Sequence, residues 1–149
     1  MTRLLLIVHI ASAAIWLGGN FTQGVLAPHF ARADATAAAA WHLGIVKMLR
    51  FLYMPAAILI LITGILMVAG STVYGFGTPF VSIGFLVVIV GVVLGMALFG
   101  PLARKAAGFY ESGDTAAVRP IESRIAVLGV VDTLLVLLAV VVMVIKLGA

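Results

Sequence analysis

From Phe51 to Ala103 the chain carries no Asp, Glu, Lys or Arg. That run is about twice the roughly 20 residues a membrane-spanning helix needs. A water-soluble domain of this size has too much surface to hide it. Leu4 to Ala31 is equally free of charge, and Ile125 to Ile145 is interrupted only by Asp132. With 64% hydrophobic and 9% charged residues, the chain belongs in a lipid bilayer. "GSTVYGFGTP" at 70–79 supplies the turn chemistry that splits the long run.

The expected fold is all-α, a single domain over 1–149 built as a polytopic membrane four-helix bundle. The helices are placed near Arg3–Ala27, Leu49–Ala69, Pro79–Gly100 and Ile121–Leu147. A cleavable signal peptide competes for the N-terminus, with Arg3 and an "ASA" triplet in its favour. The apolar run continues well past Ala13, however, and cleavage would remove half a helix. Cysteine is absent, which excludes disulfides, thiolate-held iron or zinc, and covalent haem attachment through C-x-x-C-H.

Basic residues orient the bundle. Arg32, Lys47, Arg50, Arg104, Lys105, Arg119 and Arg124 lie on or beside the connections Pro28–Met48 and Pro101–Pro120, against Arg3 and Lys146 on the other side. The positive-inside rule puts both connections in the cytoplasm of a bacterial inner-membrane protein and both termini outside. The net charge of +4 is then a topology signal and needs no nucleic-acid partner. Asp34 to Arg50 is expected to form an interfacial helix leading into the second span. "PHFARADATAAAA" and "PLARKAAGFYESGDTAAV" echo each other, either as a trace of duplication or as two helix starts with Asp at the N-cap.

The first helix has a polar face. At 100° per residue His9, Ser12, Trp16, Asn20 and Gln23 share one arc, with Gly19 near its edge, so this stripe should point into the bundle. Asp132 is the only acid well inside a span, where an acid costs about 2.5–3.5 kcal/mol and needs a partner or water. Arg50 is the expected partner, snorkelling inward from the second helix, and a proton relay through Asp132 is the alternative. Gly84, Gly91 and Gly95 line one side of the third helix, a spacing suited to close packing. Counted from the helix ends, His9 lies about 9 Å deep and Met67 and Met143 about 5 Å, so the three could share an outer layer.

An interior imidazole is a good ligand for haem iron or copper, and it also serves as a plain hydrogen-bonding group or a proton relay. His9 is therefore the candidate metal ligand, with Met67 and Met143 as candidate cofactor contacts and Ser12, Trp16, Asn20, Arg50 and Asp132 as the polar interior. His29 and His42 read as surface or interfacial. Trp41, Tyr53, Tyr74 and Tyr110 read as interfacial anchors, and Trp16 as core.

"HIASAAIWLGG", "KMLRFLYMPAAILILITGILM", "GPLARKAAGFYESGD" and the closing "VVMVIKLG" resemble the superfamily of small four-helix membrane proteins that includes HemJ and the membrane domain of CopD. The likeness is nearest to a branch of uncharacterised integral membrane proteins. It covers nearly the whole chain, and its most specific parts are His-x6-Trp-x-Gly-Gly in the first helix and Arg-x4-Pro-x8-Gly in the second. HemJ-like proteins imply a b-type haem on the first-helix histidine, here His9, an arginine opening the second helix, here Arg50, and oxidation of protoporphyrinogen. CopD-like proteins imply copper movement. The third helix lacks the lysine that HemJ-like chains carry at its start, which speaks against that oxidation. Asp132 stands near their Glu-x-Pro pattern, and no Met or His clusters mark the helix mouths for copper. The resulting expectation is a membrane protein holding haem b or a related small ligand, with a membrane redox partner or a second copy as associates. A transport module for protons or a metal ion, and a non-catalytic protein acting through partners, stand as alternatives.

Orientation is directly testable. Single cysteines introduced at Gly113 and at Tyr74 are expected to be shielded from and open to, respectively, an impermeant thiol reagent applied to intact cells. The reverse pattern would invert the membrane assignment.

Overall fold

The computed structural model describes residues 2–148. Its helices are α1 (Thr2–Phe30), α2 (Ala35–Met48), α3 (Met54–Ala69), α4 (Pro79–Leu94), α5 (Gly100–Ser112) and α6 (Thr115–Val144). They make four long rods, because α2 runs into α3 and α4 into α5 without a break. The rods Arg3–Phe30, Ala35–Ala69, Pro79–Ser112 and Thr115–Val144 are each long and apolar enough to cross a membrane. Consecutive rods are neighbours: α1 packs on α3, α3 on α4, α4 on α6 and α6 on α1. Leu4, Ile7, Ile62, Leu86, Val93 and Val141 point outward. Such a surface is suited to lipid, and the architecture fits a multi-pass membrane protein.

Each two-part rod is joined by a π-helical turn, Leu49–Tyr53 in one and Gly95–Phe99 in the other. Proline explains both. Pro55 and Pro101 lack the N–H that would bond four residues back, and their rings crowd that carbonyl. The backbone widens instead, so that Met54 N–H donates to the Leu49 carbonyl and Gly100 N–H to the Gly95 carbonyl. The two turns lie side by side, since a Cβ on Gly95 would stand 3.3 Å from a Leu49 methyl.

These joints correct the expected interfacial helix. Asp34 to Arg50 is helical and capped as foreseen, with the Asp34 carboxylate accepting from Ala37 N–H at 2.9 Å. Yet α2 is continuous with the second span and packs along α5. The cause is alanine. Ala38, Ala103 and Ala106 are each 0% exposed, small enough for the two backbones to approach closely. The 35-residue second rod is about 52 Å long against a hydrocarbon core of about 30 Å, so part of it projects beyond the bilayer.

The sequence echo resolves into two aspartate caps. Asp114 accepts from Ala117 N–H at 3.2 Å just as Asp34 does from Ala37. Pro28 lies near the end of α1, whereas Pro101 lies at the start of α5, so the prolines do not correspond. The projecting part also buries groups read as interfacial. His42 is 4% exposed, its Nδ1–H donates to the Ala38 carbonyl at 2.8 Å, and its Nε2 stands 4.0 Å from Glu122. Tyr110 is buried and donates to the same carboxylate at 2.7 Å. His29 is exposed as foreseen.

Ala38→Leu is expected to lower stability by about 1–3 kcal/mol, the usual cost of forcing extra volume into a packed contact. Ala40→Leu, on the exposed side of the same turn, should leave the melting temperature nearly unchanged. Thermal unfolding of both in one detergent distinguishes them; equal melting points would contradict the packing described.

Candidate functional site

The stripe on α1 faces inward. His9, Ser12 and Trp16 are 8%, 2% and 4% exposed, and Gly19 is buried beyond them. Asn20 and Gln23 are half-buried at its end. His9 meets α3, Trp16 and Asn20 meet α6, and Gln23 meets Tyr53 of the second rod.

At one end His9 meets α3. Its Nδ1 lies 2.9 Å from the Thr63 hydroxyl oxygen. The Thr63 proton is committed to the backbone carbonyls of Leu59 and Ile60, so Thr63 accepts and His9 Nδ1–H donates. That assignment leaves the ring's lone pair on Nε2. Gly64 gives the ring room, with Cε1 3.5 Å from where a Cβ would stand. Ser12 bonds only the Val8 carbonyl, at 2.8 Å. The expected thioethers are not hydrogen-bond partners of the ring. Met143 packs its methyl against Gly84 of α4, and Met67 is half-buried one turn past Thr63. Among the described residues no group of three His, Cys, Asp or Glu is placed to hold a metal ion.

Deeper in the bundle stands Asp132, 7% exposed. Its Oδ2 accepts from Trp16 Nε1–H at 2.9 Å and from Asn20 Nδ2–H at 2.8 Å. Two donors on one oxygen suit a carboxylate, because hydrogen bonds to the charged form offset the loss of water. Arg50, the partner expected from sequence, is exposed and makes no ion pair with any described carboxylate. The guanidinium lies instead over the Phe51 ring at 5.5 Å. Arg50 leaves the π turn whose neighbour Tyr53 takes the inward place. Tyr53, read as an interfacial anchor, is 7% exposed, accepts from Gln23 Nε2–H at 2.7 Å and meets the Trp16 ring edge-to-face at 6.0 Å.

A glycine of the third rod and one of the first receive these side chains. A Cβ on Gly91 would stand 2.5 Å from the Trp16 ring and 3.0 Å from Asp132 Oδ1. One on Gly19 would stand 2.7 Å from the Tyr53 hydroxyl. Both positions therefore need hydrogen in place of a side chain for the polar cluster to close.

Beside this cluster lies a partly open cavity of about 790 Å³, reached by all four rods. Trp16, Asn20, Tyr53 and Asp132 line its polar end, both π turns contribute to its wall, and Arg50 and Arg104 stand farther along it. Oδ1 of Asp132 accepts no hydrogen bond among the described residues and is not sealed off. Sequence reasoning found Trp16, Asn20, Arg50 and Asp132 of this set and missed Tyr53 and Arg104. Pro55 and Pro101 were the available signal, since a proline inside an apolar helix marks the widened turn that frequently accompanies functional sites.

No family model, curated protein or solved structure matches the chain. The likeness to HemJ- and CopD-like proteins therefore rests on the quoted motifs.

Thermal melts of single and double variants test the partners of Asp132. Trp16→Phe and Asp132→Asn are expected to couple by about 1.5–3 kcal/mol, the scale of a hydrogen bond to a charged group. Arg50→Gln and Asp132→Asn should add independently. Strong coupling in the Arg50 cycle would restore the ion pair expected from sequence.

Proposed function

We propose that this chain is a multi-pass membrane protein, oriented with its basic end in the cytoplasm of a bacterial inner membrane, that binds a small amphipathic molecule in the Asp132 cavity. One observation carries the reading: a carboxylate fixed through one oxygen by Trp16 and Asn20 and left open through the other toward a cavity of about 790 Å³. A volume of this size with mostly apolar walls and a few fixed polar groups is the usual form of a small-molecule site. The π turns widen two walls at the same level, and the glycines at 24 and 129 keep space open, since a Cβ at either would touch nothing within 4 Å. The chemistry offered is binding and orientation; proton exchange at Oδ1 would give the same site a transport role.

Haem b on His9 is the second reading, favoured by the Thr63 hydrogen bond. A metal-binding histidine commonly donates its other N–H to an oxygen, which fixes the ring and raises the basicity of the ligating nitrogen. His9 is the residue that would hold the iron if a haem were bound. The cavity does not extend to it, being lined from Trp16 onward, so a macrocycle at Nε2 requires the side chains around His9 to part. A copper ion would find Nε2 there without a second ligand set around it, and stands behind haem.

Two measurements separate the readings. In a Trp41→Phe background Trp16 is the remaining tryptophan, and its fluorescence is expected to be quenched by a bromine-tailed fatty acid added to nanodiscs. Gly129→Leu, which fills the cavity, should abolish most of that quenching while preserving the fold; unchanged quenching would count against the cavity. For haem, protein purified after growth with ample haem supply should show a Soret band that His9→Ala removes and Thr63→Val weakens. A colourless wild-type protein sinks that reading.

A further inference from the structure

The cavity carries opposite charges at its two ends, neither answered from within the protein. At the inner end is Asp132, more than nine-tenths buried, with Oδ1 open and no cation paired to it among the described residues. Toward the other end is Arg104, and Arg50 also stands on the wall; both are exposed, both line the cavity, and neither is in an ion pair with a described carboxylate. Between the ends the wall is apolar: Leu49, Val92, Met96, Phe99 and Val130. Trp16 and Tyr53 set two aromatic rings beside the carboxylate, and such rings favour a cation over a neutral polar group.

The separation of the charges can be read along the third rod, which Asp132 of α6 touches at Gly91 and which carries Arg104. Asp132 Oδ1 stands at Gly91, and Arg104 Nη2 lies 3.5 Å from the Cβ position of Gly100. Nine residues of helix make about 13 Å. In a plain α-helix Gly91 and Gly100 would face nearly opposite sides. The π turn at Gly95–Phe99 takes up about one extra residue and swings Gly100 back toward the side that Gly91 faces. The proline-driven joint thus brings the arginine end and the acid end into one cavity.

We infer that the ligand is an elongated dipolar amphiphile, a protonated amine seated against Asp132 and an anionic group about 13 Å away at Arg104, with Arg50 on the same cavity wall, the two ends joined by an apolar chain. This inference rests on the cavity reading above and adds to it the charge at each end of the ligand. An unanswered buried carboxylate is costly, and a ligand ammonium relieves that cost where a methyl group would aggravate it. Guanidinium pairs bind carboxylate or phosphate oxygens through several donors at once, which fixes the far end. The Arg50 position, which the Asp132 ion pair fails to explain, gains a use.

The test uses three probes of one chain length with the whole protein in phosphatidylcholine nanodiscs: 12-aminododecanoate, dodecanoate and dodecylammonium, each corrected against empty nanodiscs. The zwitterion is expected to bind at least tenfold more tightly than either singly charged chain. Asp132→Asn should reduce the zwitterion to the level of dodecanoate. Arg50→Gln with Arg104→Gln, both exposed and so without consequence for folding, should reduce it to the level of dodecylammonium. If either singly charged chain matches the zwitterion, or if the arginine variant binds it undiminished, the dipolar ligand is wrong while the cavity stands. If none of the three binds and Gly129→Leu leaves Trp16 quenching unaltered, the cavity reading falls with it.

Discussion

Much of this structure depends on one carboxylate taken out of water. Asp132 sits in the middle of an apolar helix, and its Oδ2 is held from across the bundle by Trp16 and Asn20 of α1. Those two bonds fix how α6 is rotated against α1. They also require Gly91 of α4 to have no side chain, since a Cβ there would strike the Trp16 ring. Three of the four rods thus meet at one polar point, and the second joins through Tyr53 against Trp16 and Gly19. Apolar packing in lipid gains little from the hydrophobic effect, so directional contacts of this kind select one arrangement among many.

The prolines shape what lies beside that point. Pro55 and Pro101 sit in different rods running in opposite directions, yet each forces a π turn, and the turns fall at the same level. Widened helices there open the cavity wall below Asp132 and set the rotation of everything beyond. The projecting α2 and α5 can then lie together along their alanines, and Tyr110, His42 and Glu122 close the far end.

Some of this was legible in the sequence. Charge-free runs and the turn at 70–79 gave four spans, and the 3.6-residue period placed His9, Ser12, Trp16 and Asn20 on the inward face. Asp132 announced itself as the acid in the membrane. Its partner did not, because pairing depends on helix rotation and depth, which shift by a π turn that composition does not display. Tyr53 sits near a basic residue and so resembles an interfacial anchor; the same turn carries it inside and leaves Arg50 outside. The continuity of α2 with α3 was hidden for a related reason. A polar, alanine-rich segment before a span reads as surface helix unless its partner, α5, is known.

The most direct measurement is of the Trp16 indole itself. With Trp41→Phe, nitrogen-15 labelled protein has one indole N–H resonance. Bonded to a carboxylate and screened from water, it is expected to lie downfield, to exchange slowly with solvent, and to move upfield when Asp132 becomes Asn. An indole resonance at the ordinary position that ignores the Asp132→Asn change would contradict the arrangement on which the cavity and its ligand rest.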